Sequence, residues 1–536
     1  MDFLKRNFGS IVSLLLLFGS LVAMCFFVPH WSTKEFWMSV APAALFLALL
    51  VSIRNWILRL ILIDGFFLIA AASFFAREVY KYVSKDMILA TVGVNFEVSV
   101  GVLETAEPIY LAAFAGFMLL ISVLAYFAYV SVPGWLKFYI MPLPLLGSLM
   151  EPARETLDDW GYRNFVINNE YSPTFMAQDY LDMYKIFWGD TLASAMVGLE
   201  QFSDRLKYTV TPHAKVPDFV KPGGNGEDKI VLVIGESSNV KRYSLYGYGQ
   251  PTTPNLDKMQ KDGAICHVEK VHSATPTTRT SVPTYVSMST PEDRDALFNY
   301  QNIIEMAKNS GYKTYWIGTQ RLDTLWDKTY GFVAKYSDVL VSPDHNNGVE
   351  VRDTKDDDLL APIHTYFASA PQKSFFIIHI YGSHLPYKRN VDDADRFSLP
   401  DADMYDKSIH HTDRTLKMIM DEADRSLGRY KFVYLPDHGE AVDKGHGFIS
   451  KLNEMYLIPL IANDAASCAA MDTLRGDDGY VRSDAVKYLV LSWLGYRVDA
   501  AALDDAKRDS HNVMTGDERM LDFRNLADCT GTDCTD

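Results

Sequence analysis

Cysteine is scarce in this chain: five residues among 536, namely Cys25, Cys266, Cys468, Cys529 and Cys534. Their spacing does not make a metal-binding cluster. Cys529 and Cys534 are near enough to pair outside the cytoplasm, and Cys266 and Cys468 are either a second pair or two buried thiols. A basic excess is also missing. Lys and Arg number 51 against 67 Asp and Glu, a formal charge of −16, whereas a nucleic-acid binder needs a basic face. No internal repeat is present. Strong apolar runs are almost absent beyond Met150, where the charged residues concentrate. A chain of 536 residues is too long for one ordinary core, so two or more domains are expected.

The first 150 residues hold the apolar runs. Five are read as membrane spans, for which roughly 20 apolar residues suffice. They are Ile11–Val28, Phe36–Ile53, Leu60–Phe75, Tyr110–Val130 and a shorter one, Leu136–Leu149, which contains Pro142 and Pro144. No small-residue cleavage site follows the first run, so it is read as a span and not as a signal peptide. Lys5, Arg6, Arg54, Arg59 and Lys137 fall on one side of this arrangement, which makes that side the cytoplasm. Arg77, Lys81 and Lys85 fall on the other side and blur the bias. An odd number of spans puts everything after Glu151 outside the cytoplasm. The expected domains are a transmembrane part at 1–150, interfacial helices and a linker at 151–225, and a periplasmic catalytic domain at 226–536. The linker signal is KPGGNG, Lys221 to Gly226.

Beyond the linker, short apolar runs alternate with amphipathic stretches. The runs are Ile230–Ile234, Lys313–Ile317, Ser374–Ile380, Tyr430–Leu435 and Tyr456–Ala462, with helices expected at Gln301–Asn309 and Ser408–Arg425. This pattern predicts an α/β domain with a largely parallel sheet. Such sheets bind ligands beyond the carboxyl ends of their strands. Glu236 follows the first run, Ser383-His384 the third, and Asp437-His438-Gly439-Glu440 the fourth. A carboxylate, an imidazole and an Asp-His pair arriving at one edge make a metal site, and Asp oxygen and His nitrogen are ordinary zinc ligands. Gly439 would let the backbone bend so that Asp437 and His438 face one ion. The nucleophile is expected in HSATPTTRTSVPTYVS, His272 to Ser287. A divalent metal lowers the pKa of a Thr hydroxyl, and a helix N-terminus favours a phosphate. Composition leaves Thr275, Thr277, Thr278 and Thr280 open. His379 lies inside a strand and is read as core; His410 and His411 lie in a helix and are read as structural or interfacial.

The set Gly235-Glu236-Ser237, Ser244-Leu245-Tyr246-Gly247-Tyr248, Thr253-Pro254-Asn255-Leu256, Ser281-Val282-Pro283, Gly382-Ser383-His384 and Asp437-His438-Gly439-Glu440 resembles the bacterial phosphoethanolamine transferases. The resemblance covers nearly the whole chain. It implies an alkaline-phosphatase-like fold behind a five-span membrane domain, zinc as cofactor, and phosphatidylethanolamine as donor to a cell-envelope glycolipid at the inner membrane. The nucleophile of that family stands five residues before the Pro of Ser-Val-Pro, which is Thr278 here. The zinc ligands carry over to Glu236, Thr278, Asp437 and His438. His384 and His446 resemble positions that contact the transferred phosphate or a second zinc. Asn95, Ser99 and Glu104 resemble a polar loop that meets the lipid donor. The lipid A modifying members carry cysteines where this chain has Ala274 and Thr284, which points to the core or Kdo branches. The stretch from Asp437 to His446 is also shorter than in the colistin-resistance members.

Three other readings fit less well. A sulfatase needs Cys or Ser two residues before a Pro and an Arg two residues after it. Ala274 precedes Pro276, and Ser281 precedes Pro283 with Tyr285 in the Arg position. A glycerol-phosphate polymerase of the lipoteichoic acid type shares the span count and a Thr nucleophile but not the polar motif set. A non-enzymatic membrane scaffold leaves the ligand set unexplained.

Overall fold

The computed structural model describes residues 2–26, 43–44, 46–80 and 108–131 and, with short internal gaps, residues 208–528. The span expected at Leu136–Leu149, the interfacial segment from 151 to 207, the polar residues Asn95, Ser99 and Glu104, and Cys529 and Cys534 lie outside the described residues. The chain divides into two compact units, Met1–Leu206 and Lys207–Asp536.

In the first unit, α1 (Asp2–Phe26), α2 (Trp56–Tyr80) and α3 (Pro108–Phe127) take up most of three expected spans. Among the described residues no helix is long and apolar enough to cross a membrane. Residues 46–51 of the second expected span are helical. The helices are apolar on both sides. Leu17, Leu21, Ile63, Phe67 and Ile121 are buried between them, while Leu15, Ile57, Leu62, Phe114 and Leu119 are exposed. Arg59 is buried and donates to the carbonyls of Ile53 (2.7 Å), Ala125 (3.1 Å) and Tyr126 (2.8 Å), so it caps chain ends that have no helical partners.

The second unit is built on an eight-stranded sheet in the order β5-β4-β6-β2-β7-β8-β3-β9. Its strands are β2 (Lys229–Gly235), β3 (Cys266–His272), β4 (Lys313–Gly318), β5 (Val339–Val341), β6 (Ser374–His379), β7 (Lys431–Pro436), β8 (Leu457–Ala462) and β9 (Val481–Arg482). A short β1 (Val220–Pro222) pairs instead with β10 (Tyr496–Val498). β5, β4, β6, β2 and β7 run parallel; β8 is antiparallel to both its neighbours, and β3 and β9 are parallel to each other. All five expected apolar runs fall on central strands, because a strand covered on both faces reads as a continuous apolar run. In β2, Ile230, Leu232 and Ile234 enter one core with Val282 and Tyr285. Val231 and Val233 enter the other with Ile409, Leu416 and Ile419. Each such buried side chain contributes roughly 1.5–3 kcal/mol.

Candidate active site and metal centre

The strand order sets four neighbours side by side, β4, β6, β2 and β7, all pointing the same way. Their carboxyl ends deliver Gln320, His384, Glu236 and the pair Asp437-His438 to one edge. Opposite them a helix, Thr278–Val286, starts with Thr278 itself. Its hydroxyl donates to Glu236 Oε2 at 2.9 Å. The other threonines left open turn elsewhere: Thr280 shares hydrogen bonds with Thr275 (2.6 Å) and Thr277 (2.7 Å).

Glu236, Asp437 and His438 are fully buried. Ser237 Oγ donates to Glu236 Oε1 at 2.7 Å, and His438 Nε2 lies 3.2 Å from the same oxygen. Asp437 Oδ1 accepts the backbone N–H groups of Ser237 (3.2 Å) and His438 (2.8 Å). Its Oδ2 faces His438 Nε2 at 3.4 Å, and neither atom has a hydrogen-bond partner. The His438 Nδ1–H donates to the carbonyl of Gly439 at 2.8 Å, so the Nε2 lone pair is turned into the site.

The two carboxylates titrate in opposite directions. Burial pushes Glu236 up, but His438 beside it and the charges of His384 and His446 outweigh that and hold it well below the usual range. Burial, and then the charge of Glu236, push Asp437 well above it. Two buried acids this close cannot both ionise alone. A divalent cation would remove the conflict and engage the two orphaned atoms. Glu236, His438 and His446 each offer a ligand atom within 4.8 Å of the others. Carboxylate oxygen with imidazole nitrogen suits zinc chemistry, so the residues present fit a metal.

His446 Nδ1 meets Glu440 Oε2 at 2.5 Å, and the His446 ring centroid is 4.2 Å from that of His438 and 5.4 Å from that of His384. His384 is fixed through Nδ1 by the Leu385 carbonyl (2.6 Å), and burial lowers its pKa. His379 is core, buried inside β6 with its pKa pushed down by burial to about 4. His410 and His411 each place Nδ1 2.8 Å from one oxygen of the buried Asp395, away from the cluster around Glu236.

Backbone geometry supports the edge. Ser237 adopts φ 52°, a left-handed conformation that costs a non-glycine residue of order 1 kcal/mol. Tyr405, donating to the Ser237 carbonyl at 2.7 Å, helps to hold it there. Gly382 has φ 56°, and a Cβ there would stand 2.8 Å from the Glu236 carbonyl oxygen. The reason for Gly439 differs from the expected sharp bend. Its φ is not left-handed; a Cβ would stand 2.2 Å from the carbonyl oxygen of Glu454.

Two contributors were not expected. Asp356, buried, accepts from Thr319 Oγ1 (2.6 Å), Tyr381 N (2.7 Å), Gly382 N (2.9 Å) and Asn390 Nδ2 (2.7 Å), clamping the turn that leads to His384. Gln320 donates to Glu236 Oε2 at 3.0 Å. It stands two residues beyond β4, so the strand-end rule that found Glu236 would have found it too.

Residues 228–496, half of the chain, match the model of the Sulfatase family, and the chain belongs to that family. Its α/β unit is alkaline-phosphatase-like. Among curated proteins it is similar to the phosphoethanolamine transferase EptC of Escherichia coli O18:K1:H7, 26% identical over 267 residues that cover 46% of each chain. It is also similar to the phosphoethanolamine transferase CptA of Salmonella typhimurium, 30% identical over 172 residues, 32% of this chain and 30% of the relative. The chain thus spans about half or less of the length of these curated relatives. Among solved structures it shares its fold with the integral membrane lipooligosaccharide phosphoethanolamine transferase A of Neisseria meningitidis, with TM-score 0.60 and 17% identity, covering 94% of this chain and 97% of that one. The resemblance carried by the motifs therefore holds. Ser281, the residue that meets half of the sulfatase condition, is buried and donates to the Asp437 carbonyl at 2.6 Å. Tyr285, in the Arg position, donates to the same carbonyl at 2.9 Å.

Proposed function

We propose that this protein transfers phosphoethanolamine from phosphatidylethanolamine to a cell-envelope glycolipid through a covalent intermediate on Thr278. The observation that carries the reading is the Thr278 hydroxyl at a helix start, hydrogen-bonded to Glu236 beside Asp437 and His438. Glu236, Thr278, Asp437 and His438 would hold one zinc ion. When bound, it supplies charge stabilisation at the phosphoryl oxygens and a lowered pKa for the Thr278 hydroxyl.

In the first displacement Thr278 Oγ1 forms a bond to phosphorus while the bond to the diacylglycerol oxygen breaks. The hydroxyl proton, directed at Glu236 Oε2 in the resting site, passes to the His384 and His446 pair as the new bond forms. His384 and His446 hold the phosphate or deliver the proton that the diacylglycerol oxygen takes up. In the second displacement an acceptor hydroxyl attacks phosphorus, its proton passes to the same histidines and from them to the Thr278 oxygen, and the bond from phosphorus to Thr278 breaks. The N-terminal end of the helix that starts at Thr278 favours negative charge there. Donor and acceptor use the site in turn, which a direct transfer between two bulky lipids does not permit.

The remaining assignments belong to the same reading: five spans within 1–150, interfacial helices and linker at 151–225, a periplasmic domain at 226–536, and Asn95, Ser99 and Glu104 at the donor headgroup. Helices apolar on both sides suit a lipid environment. A disulfide joins Cys266 to Cys468 and suits an oxidising compartment. The test is transfer by purified variants. Thr278→Ala loses transfer while keeping its fold and most of its zinc, which Glu236, Asp437 and His438 still hold, and Thr278→Ser keeps part of the transfer. Transfer by Thr278→Ala at the wild-type rate would overturn the assignment.

A further inference from the structure

Gln320 has a geometry that the proposed chemistry does not yet use. Its Nε2 lies 3.0 Å from Glu236 Oε2, 3.1 Å from His379 Nε2 and 3.3 Å from the Ile380 carbonyl. Its Oε1 lies 3.4 Å from the hydroxyl of Tyr330, which is itself tied to Asp327 Oδ1 at 2.5 Å and to the Arg321 carbonyl at 3.1 Å. The single Tyr330 proton goes to Asp327, so the amide is oriented from its NH₂ end, which alone can face the acceptors Glu236 Oε2, His379 Nε2 and the Ile380 carbonyl. His379 is buried without a partner for Nδ1, and burial lowers its pKa to about 4. Near neutral pH it is uncharged, and a neutral ring can accept at Nε2 from the amide.

The two oxygens of Glu236 consequently have different neighbours. Oε2 takes Thr278 Oγ1–H and the Gln320 amide; Oε1 takes Ser237 Oγ–H and faces His438 Nε2. Without Gln320, the Oε2 side is held by the Thr278 hydroxyl alone, which is also the nucleophile. Rotation of the carboxylate would then exchange the two oxygens. We infer that Gln320, oriented by His379 and the Ile380 carbonyl, is a positioning residue that fixes Glu236 so that Oε1 serves the metal and Oε2 serves Thr278. This rests on the reading of the site as a metal-dependent phosphoryl transferase. Outer partners of metal ligands typically carry about 10–100-fold of metal affinity or activity, and that is the size expected here.

The test uses the full chain purified in detergent. Zinc affinity is measured by competition with a chelator, transfer by diacylglycerol release from phosphatidylethanolamine, and folding by thermal unfolding of the zinc-free protein. Gln320→Leu removes the amide at similar volume. The expected result is a zinc affinity about tenfold or more weaker and a kcat at saturating zinc about tenfold or more lower, with KM for the donor unchanged; the acceptors left on Glu236, His379 and Ile380 also lower the zinc-free melting temperature, so both losses are read well below the variant's melting transition. Should Leu prevent folding, Gln320→Ala answers the same question with less apolar bulk against Glu236. Wild-type zinc affinity and kcat in a folded variant would overturn the inference, and so would losses that disappear at temperatures where the variant is fully folded. A wild-type protein that binds no zinc and releases no diacylglycerol would instead overturn the reading of the site on which the inference rests.

Discussion

Replacing Asp356 with Asn separates the clamp behind the active-site turn from simple volume. The substitution conserves shape, so no cavity contributes. Asp356 Oδ1 accepts from Thr319 Oγ1 and Tyr381 N, and Oδ2 from Gly382 N and Asn390 Nδ2. An Asn must point its NH₂ at one of these pairs. Each pair contains one backbone N–H that cannot turn away, whereas the Thr319 hydroxyl and the Asn390 amide can reorient. One buried N–H is thus left without an acceptor, at a cost of about 1–3 kcal/mol. The other backbone N–H exchanges a charged acceptor for a neutral one, losing about 1 kcal/mol more. The sum is about 2–4 kcal/mol. At roughly 2 °C per kcal/mol for a domain of this size, the melting temperature falls by about 4–8 °C. Thermal unfolding of the purified chain measures it. Transfer should fall with it, because Tyr381 and Gly382 lead into His384. A melting temperature within about 1 °C of wild type, with full activity, would show that Asp356 does not clamp this turn.

Two further predictions concern the scaffold. Cys266 and Cys468 enclose a sequence separation of 202. The chain-entropy model gives such a loop up to about 5 kcal/mol, so Cys266→Ser with Cys468→Ser lowers the melting temperature, and non-reducing peptide mapping finds the pair linked. Free thiols in the native protein would contradict this. His272 is buried against Phe523, with ring centroids 4.1 Å apart and no partner for Nε2, and burial lowers its pKa to about 4 from 6.5. The unfolded chain takes up that proton first, so this contribution, about 3 kcal/mol, is present above pH 6.5 and is lost as pH falls toward 4. His272→Phe should flatten the stability curve across that window; an unchanged slope would count against it.

Much of the sheet was legible because its central strands are covered on both faces. β3 was not read, since CHVEKVH exposes Glu269 and Lys270 and bulges between Val268 and Val271. The helix expected at Ser408 begins at Met404, where Asp403 caps it by accepting from Asp406 N at 2.7 Å. Several motif residues prove structural. Tyr246 OH binds the carbonyl and the N–H of Leu460, and Asp413 accepts from the backbone of Asn255 and Leu256 at a helix start. Among neighbouring threonines, composition could not distinguish Thr278. What separates it is its place as the first residue of the helix, with its hydroxyl toward Glu236, while Thr275 and Thr277 in the preceding turn bond to Thr280. Gln320 follows the run Lys313–Ile317 as Glu236 follows its own strand, but an amide is neither a carboxylate nor an imidazole, and only its three acceptors set it apart.

The covalent step on Thr278 is the centre of the account, and peptide mass spectrometry of the full-length enzyme incubated with phosphatidylethanolamine alone tests it most directly. Added phosphoethanolamine is expected on the peptide containing Thr278, at that residue, with diacylglycerol released in equal amount and the adduct lost when acceptor is supplied. An adduct on Thr277 or Thr280, or an active enzyme that carries none, would contradict it.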